Sequence, residues 1–319
     1  MAGVAFELTP DYGVAAIHNG LDQEPSVPIA RIQGSLSYQA FMRKRTTSNN
    51  RRESMLCRLL APALERLPPE FGLDFCRSPD VVATKTMLAN LKQLVESYLG
   101  TNICFAAISL DDPEGEKPSV VEEALEALGL RQVLPTLPRA RTVVSSHTPQ
   151  HSPDLEEEAW NILAIESSSR WSSIGLYSLN EGINDAIEGF VSGPIFGDQN
   201  QLTTLGDALR HLFENPPANI THPEKIHHLV LYGDNMTRDA LSLLNTILGA
   251  DLVANAVIAK SMFDGVGLIA NTVHGQLSWV NARKPEPAFG CKWRSEFWQW
   301  RSNFWQGQLK LAPKTRDEL

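Results

Sequence analysis

The first half of the chain places short apolar runs and a long helical pattern between polar turns. Residues 14–17 are apolar and are followed by Asn19-Gly20, a pair typical of hairpin turns, so they predict a strand. Apolar residues then recur at helical spacing up to Gly100, which predicts a helix with a glycine stop. Residues 103–110 are almost continuously apolar, as in a strand buried on both faces. Together these patterns predict an α/β unit.

The second half alternates strand and helix patterns. The capping box from Ser119 to Glu122 predicts a helix that ends at Gly129, and the prolines and acidic run of residues 133–158 predict a connector. The further predicted elements are strands over 162–165, 173–179 and 228–232 and helices over 202–213, 241–248 and 257–270. Because strands alternate with helices, we expect a mostly parallel sheet.

The composition narrows the class of protein. The length of 319 residues suggests about two domains, or one large two-lobed domain, and a hydrophobic content of 43% excludes wholesale disorder. The net charge of −9 argues against a nucleic acid partner, and no apolar run is long enough to span a membrane. The N-terminus lacks the pattern of a signal peptide. We therefore expect a soluble cytoplasmic protein.

The cysteines and histidines carry no metal signature. The four cysteines lie far apart, without a CxxC pair, at Cys57, Cys76, Cys104 and Cys291. This spacing predicts reduced thiols rather than a metal cage or a disulfide framework. The adjacent His227 and His228 should point to opposite sides of a strand. We expect neither a metal nor a cofactor.

Three stretches of the chain share an order of elements with one known family. They are residues 91–113, residues 161–183, and residues 227–235 followed by 243–270. In this order they resemble the nucleotide-binding domain of the seventy-kilodalton heat-shock chaperones, in the actin/hexokinase ATPase superfamily, and above all its divergent fungal chaperone-like members. The resemblance implies an α/β, two-lobed actin-like ATPase-type fold with ribonuclease-H-like cores. Lobe one would span 1–158, lobe two 159–255, a return helix packing back on lobe one 256–285, and a C-terminal aromatic tail 286–319.

The positions that bind ATP in that family are altered here. No Gly-Thr-Thr precedes residues 14–17, so the first phosphate loop is predicted to be missing. The glycines, threonine and aspartate of the second phosphate loop are matched in position by Ser168, Ser169, Arg170, Trp171 and Ser173. Side chains obstruct the close approach of backbone to phosphate that glycines allow. The resemblance therefore implies a degenerate fold without ATP hydrolysis.

Two further family motifs are altered. Residues 137–139 read Leu-Pro-Arg where the family crosses between lobes with Glu-Pro-Thr. Residues 233–235 read Gly-Asp-Asn where the family has the Gly-Gly-Ser of its adenosine motif. The second motif is therefore only half retained.

The altered loops define a predicted ligand cleft. Its expected lining, with the region of His18 and Asn19 as the wall of lobe one, is Trp171, Ser168, Ser169, Ser173, Tyr232, Gly233, Asp234, Asn235 and Asn19. The candidate catalytic residues are Glu166 as a general base or anchor, Arg170 as its counter-charge or a grip on an anion, and His18. The structural alternatives are a solvated carboxylate, a surface arginine and a structural histidine, with Trp171 filling space that the nucleotide leaves.

The end of the chain predicts an amphipathic aromatic helix. Its apolar stripe is formed by Trp293, Phe297, Trp300 and Phe304. We expect it to dock on its own lobe or to bind a protein partner, and a lid over an apolar ligand or a membrane surface are alternatives. The final Arg-Asp-Glu-Leu resembles an ER-retrieval tetrapeptide but is interpreted as chance.

Two classes of function follow. In the first, the interlobe cleft binds a small, largely apolar organic molecule, as in a cofactor-independent cyclase or isomerase (a pericyclase of the Diels-Alderase type) of fungal specialised metabolism. In the second, the protein is a pseudo-chaperone scaffold or regulator that acts through protein partners, with or without nucleotide binding. Trp171 and the neighbouring serines favour the first class, because they convert a phosphate site into an organic pocket.

Overall fold

The structure is a computed structural model. It describes residues 2–20, 25–44, 74–111, 117–147, 159–180, 183–191, 194–197, 201–215, 226–259 and 261–283. The predicted aromatic helix, with Trp293, Phe297, Trp300 and Phe304, lies outside the described residues.

The first sheet is built from the N-terminal half of the chain. Its strands are β1 (Gly3–Leu8), β2 (Tyr12–His18), β3 (Val27–Gln33), β4 (Phe105–Leu110) and β5 (Arg131–Gln132), in the order β3-β2-β1-β4-β5. β1, β2 and β3 are antiparallel, whereas β1, β4 and β5 are parallel. β1 and a tight turn precede β2, so a hairpin turn is present where the first phosphate loop was predicted to be missing, and its sequence is Thr-Pro-Asp-Tyr.

The second sheet repeats the same arrangement. Its strands are β6 (Trp160–Ser167), β7 (Ser172–Asn180), β8 (Ile183–Val191), β9 (His228–Tyr232) and β10 (Val257–Ile258), in the order β10-β9-β6-β7-β8. β6, β7 and β8 are antiparallel, and β6, β9 and β10 are parallel. The predicted strand over 228–232 is confirmed. Both sheets are mixed, so the expectation of a mostly parallel sheet is wrong, while the α/β class is confirmed.

The helices complete the two halves. They are α1 (Leu36–Arg43), α2 (Pro79–Leu99), α3 (Lys117–Glu126), α4 (Arg139–Ser146), α5 (Gln201–Glu214), α6 (Arg238–Leu248), α7 (Ala250–Ala254) and α8 (Asp264–Arg283). The glycine stop after α2 is confirmed, since Gly100 adopts φ 65°. Two predictions are wrong: helix α4 lies inside the predicted connector, and the predicted helix over 257–270 is β10 followed by α8.

Each of the helices α4 and α8 packs on a sheet. α4 follows the first sheet along the chain and buries Ala140, Val143 and Val144 against β6 and β7 of the second sheet. α8 follows the second sheet and buries Val266 and Ala270 against β1 and β2 of the first sheet. The chain thus crosses over after each half, which brings one face of each sheet toward the other half.

Two observations bear on the compartment and the environment of the protein. Cys76 and Cys104 are disulfide-bonded, so the expectation of reduced thiols is wrong for this pair of residues, and the cysteines no longer argue for the cytoplasm. Within the described ranges, the helices are too short or too polar to cross a membrane.

Candidate functional site

Two hairpin turns of the same construction lie at corresponding ends of the two sheets. β1 and β2 close with the pair Leu8 and Gly13, and β6 and β7 close with Ser167 and Ser172. In the first turn the Thr9 amide donates to the Tyr12 carbonyl over 2.9 Å, and in the second the Ser168 amide donates to the Trp171 carbonyl over 2.9 Å. Thr9, Asp11 and Tyr12 therefore correspond to Ser168, Arg170 and Trp171.

The turn after β9 packs directly on the second hairpin turn. The Asn235 amide donates to the Ser167 carbonyl over 3.0 Å, and the Ser167 hydroxyl donates back to the Asn235 carbonyl over 3.1 Å. Gly233 adopts φ 109°, and a Cβ there would lie 2.3 Å from the Ser167 carbonyl oxygen. Only glycine fits this approach, so the two turns, which were predicted to line one cleft, are in direct contact.

A buried arginine joins the two sheets beside these turns. The Arg139 guanidinium, at the start of α4, donates two hydrogen bonds to the Glu166 carboxylate (Nη1–Oε2 2.8 Å, Nη2–Oε1 2.9 Å). Nη1 also donates to Asp111 Oδ2 over 2.9 Å, and Nε lies 3.0 Å from Glu7 Oε1. Glu7 lies on β1 and Asp111 directly follows β4 of the first sheet, whereas Glu166 lies on β6 of the second sheet. We call Glu7, Asp111, Arg139, Glu166 and Trp171 the seam.

Polar groups of the second sheet complete the environment of Glu166. The Ser173 hydroxyl donates to Glu166 Oε2 over 3.1 Å and lies 3.2 Å from the Tyr232 hydroxyl. Glu166 and Ser173 are 0% and 2% exposed. Glu166 is thus a buried anchor of Arg139, and the interpretation as a solvated loop carboxylate is wrong.

Burial perturbs the ionisation of the seam. It raises the pKa of Glu7 to about 7 and the pKa of Asp111 to about 6, with Arg139 opposing both shifts. Burial also disfavours the Arg139 cation, but Glu166, Glu7 and Asp111 outweigh this and raise the Arg139 pKa above its ordinary value. Arg139 therefore stays charged, and the Glu7 carboxyl, with its pKa raised to about 7, is partly protonated near neutral pH.

Aromatic side chains fill the space next to the charged groups. Trp171 is 1% exposed and packs against Tyr12 with ring centroids 6.1 Å apart. Ser168 is also buried, whereas Ser169 and Asp234 are exposed and Asn235 is intermediate. The predicted cleft lining is therefore brought together in part, but its large side chain occupies the crevice rather than lining an open pocket.

A group of half-exposed arginines lies at the outer edge of the seam. Arg170 Nε lies 3.0 Å from Asp11 Oδ2, and Arg43 Nη2 donates to Asp11 Oδ1 over 2.7 Å. Arg31 Nη2 donates to Asp234 Oδ2 over 3.2 Å. We call these three arginines and two aspartates the rim. Arg170 is not the counter-charge of Glu166, as one interpretation had it, because Arg139 takes that position.

His18 and Asn19 lie away from the seam. In the register of β1 and β2, His18 pairs with Gly3, at the opposite end of β2 from Tyr12. The His18 ring contacts the His274 ring, with centroids 5.4 Å apart, and the Ser26 hydroxyl lies 3.5 Å from His18 Nδ1. The expectation that His18 and Asn19 form a wall beside Trp171 is wrong, and His18 has a structural environment.

Sequence reasoning missed six charged residues as site residues: Glu7, Asp111 and Arg139 of the seam, and Asp11, Arg31 and Arg43 of the rim. Glu7 is the one charge in the apolar strand β1, and Asp111 directly follows the buried strand β4. A charge in an apolar strand, and a carboxylate at the carboxyl end of a parallel strand, are signals that point to such a cluster. The altered motif at residues 137–139 includes Arg139 but gave no sign of its role, since its partners come from both halves of the chain.

Neither the side chains of the site nor the comparisons with known proteins identify a metal or a family. Among the described residues, no group of three or more histidine, cysteine, aspartate or glutamate side chains is placed to hold a metal ion. No family model and no curated protein sequence matches the chain.

Proposed function

We propose that this chain is a non-ATPase protein of the two-lobed, actin-like chaperone type that acts as a scaffold or regulator through protein partners. The observation that carries the proposal is Arg139, whose guanidinium sits between Glu166 on one sheet and Glu7 and Asp111 on the other. Arg139 with its ion pairs and the buried Trp171 ring lie beside the two hairpin turns, so they obstruct the approach of a nucleotide to these turns. Such a protein presents a fixed outer surface to partners.

The repeated strand order and the crossing helices support the two-lobed part of the proposal. Each half has three antiparallel strands extended by two parallel strands, which is the order expected of a ribonuclease-H-like core. The hairpin turns, where the resembling ATPases bind phosphate, carry Pro10 and Asp11 in one half and Arg170 and Trp171 in the other. Pro10 lacks a backbone N–H, and the other side chains hinder the close approach of phosphate to the backbone amides.

Nucleotide assays test the proposal directly. We expect no magnesium-dependent ATP hydrolysis above a protein-free control, and no heat of ATP binding by titration calorimetry. The variant Trp171→Ala removes the ring that fills the space between the two halves, and we expect that it also does not hydrolyse ATP. Hydrolysis by the full chain that is lost in Glu166→Gln would contradict the proposal.

A small-molecule function is the second candidate, and one observation favours it. Glu7 Oε2, Ser168 Oγ and Trp171 Nε1 are buried without a hydrogen-bond partner among the described residues. Unpaired buried polar atoms are costly, so a polar ligand or water that satisfied them would be held firmly. A cofactor-independent cyclase or isomerase would then need the two halves to separate for substrate entry. Substrate-dependent protection of Trp171 from acrylamide quenching, measured in a variant whose other six tryptophans are replaced by phenylalanine, would separate this candidate from the scaffold.

A further inference from the structure

The rim is a compact cationic surface built from three separate elements. Arg31 comes from β3, Arg43 ends α1, and Arg170 lies in the β6–β7 turn. Arg43 and Arg170 share the two oxygens of Asp11, and the Arg31 guanidinium stacks 3.9 Å above the Tyr12 ring. All three cations therefore converge on one tight turn.

The arginines form the outer layer of the rim and the aspartates the inner layer. The Asp11 side chain is 6% exposed, whereas those of Arg43 and Arg170 are 38% and 53% exposed. The Asp234 side chain is likewise less exposed than that of Arg31, at 27% against 39%. A ligand that approaches from solvent meets the guanidinium groups first.

These guanidinium groups have donors to spare. A guanidinium has five N–H donors, and each arginine of the rim directs one nitrogen at its aspartate. The rim carries three positive and two negative side chains, in a chain whose net charge is −9. A carboxylate-rich ligand is therefore attracted here and repelled by the chain as a whole.

We propose that the rim binds an acidic segment of a partner protein through the carboxylates of several aspartate or glutamate side chains. The inference rests on the proposed scaffold function and names the chemistry of its partner. A segment fits better than a single small anion because each of the three cations already contacts an aspartate, Asp11 or Asp234. Several spaced carboxylates can each pair with one guanidinium, whereas one compact anion would lie against the aspartates as well.

The test uses a fluorescein-labelled oligoglutamate peptide, the full chain and fluorescence anisotropy at low ionic strength. We expect binding that weakens as salt is added, and no binding of an oligoglutamine peptide of the same length. Arg170→Gln should lower the affinity about tenfold, the loss expected for one hydrogen-bonded charge pair. The matched control is Arg210→Gln, since Arg210 is 54% exposed and pairs with Asp207 away from the rim.

A second variant makes the test independent of any loss of folding. Asp11→Asn removes the carboxylate that competes for Arg43 and Arg170, so it should strengthen peptide binding. Equal affinities of Arg170→Gln and Arg210→Gln, or weaker binding by Asp11→Asn, would overturn the inference. Displacement of the peptide by pyrophosphate at far lower concentration than by unlabelled peptide would also overturn it, in favour of a small-anion site. Hydrolysis of ATP by the chain would contradict the proposed scaffold function, but it would not alter the results of the peptide-binding test.

Discussion

The two sheets have the same strand order and the same hairpin turn, but they carry different chemistry at corresponding positions. Tyr12 of the first turn corresponds to Trp171 of the second, and the two rings pack together. Asp11 corresponds to Arg170, and these two side chains pair at 3.0 Å. Corresponding positions thus face one another, as in a pair of halves related by an approximate two-fold axis.

The same relation brings two like charges together. Glu7 on β1 pairs in register with Val14, and Glu166 on β6 pairs with Ser173, so the two glutamates hold corresponding positions. Both are buried and both lie against Arg139. Two facing carboxylates would repel one another in a low-dielectric interior, and Arg139 provides the positive charge between them. At the rim this repulsion does not arise, because the position that corresponds to Asp11 in the second half is the cation Arg170.

The largest expected effect comes from removing the shared arginine. Arg139→Met keeps an unbranched chain but leaves Glu7, Asp111 and Glu166 buried without their cation, and breaking a buried ion pair in this way costs about 3–5 kcal/mol. Unfolding in urea at neutral pH measures the loss. Arg210→Met is the control, because Arg210 and Asp207 are 54% and 66% exposed and their pair should contribute little. Equal stabilities of the two variants would contradict the role of Arg139.

The position of Arg139 shows where sequence reasoning stops. The strand β9 and the stop of α2 were predicted because a continuous apolar run and a glycine are local signals. The turns 166–171 and 232–235 were predicted to meet because both follow parallel strands of one sheet. Arg139 and Glu7 were missed because their pairing depends on how the two halves dock, which local patterns do not encode.

The next largest effect is a dependence of the free energy of unfolding on pH, which is due to Glu7. Burial raises the Glu7 pKa from 4.5 to about 7, so between these values the folded chain holds a proton that the unfolded chain releases. Glu7 therefore contributes most stability below pH 4.5, and this contribution falls as the pH rises to about 7, by on the order of 3 kcal/mol. Glu7→Gln resembles the protonated form and should avoid this fall.

Urea unfolding of both proteins across this range tests the role of Glu7. The stability of Glu7→Gln relative to the natural chain should rise with pH and level off above the Glu7 pKa. A difference that stays constant with pH would show that Glu7 is ionised throughout.

A smaller effect distinguishes the corresponding glutamate of the second sheet. Glu166 accepts two hydrogen bonds from Arg139 and one from Ser173, whereas Glu7 Oε2 has no hydrogen-bond partner among the described residues. Glu166→Gln should therefore destabilise the fold by about 1.5–3 kcal/mol, the usual loss for hydrogen bonds to a charged group. Above pH 7, Glu7→Gln should stabilise and Glu166→Gln should destabilise. Effects of the same sign in urea unfolding would mean that the two halves share the cation equally.

The smallest expected effect on stability is at the rim. There Asp11 of the first turn pairs with Arg170, which holds the corresponding position of the second turn. The Arg170 side chain is 53% exposed, so solvent screens its pair with Asp11 and Arg170→Gln should lower the stability by no more than about 1 kcal/mol. The Arg210 side chain is similarly exposed, at 54%, but its partner Asp207 is 66% exposed against 6% for Asp11, so Arg210→Gln should lose no more stability than Arg170→Gln. A loss from Arg170→Gln as large as that from Arg139→Met would mean that the rim, and not the buried seam, holds the two halves together. A small loss of stability combined with weakened binding of the acidic peptide would show that the two regions have different roles. The cation shared inside the seam would stabilise the fold, and the cations of the rim would remain available to a partner.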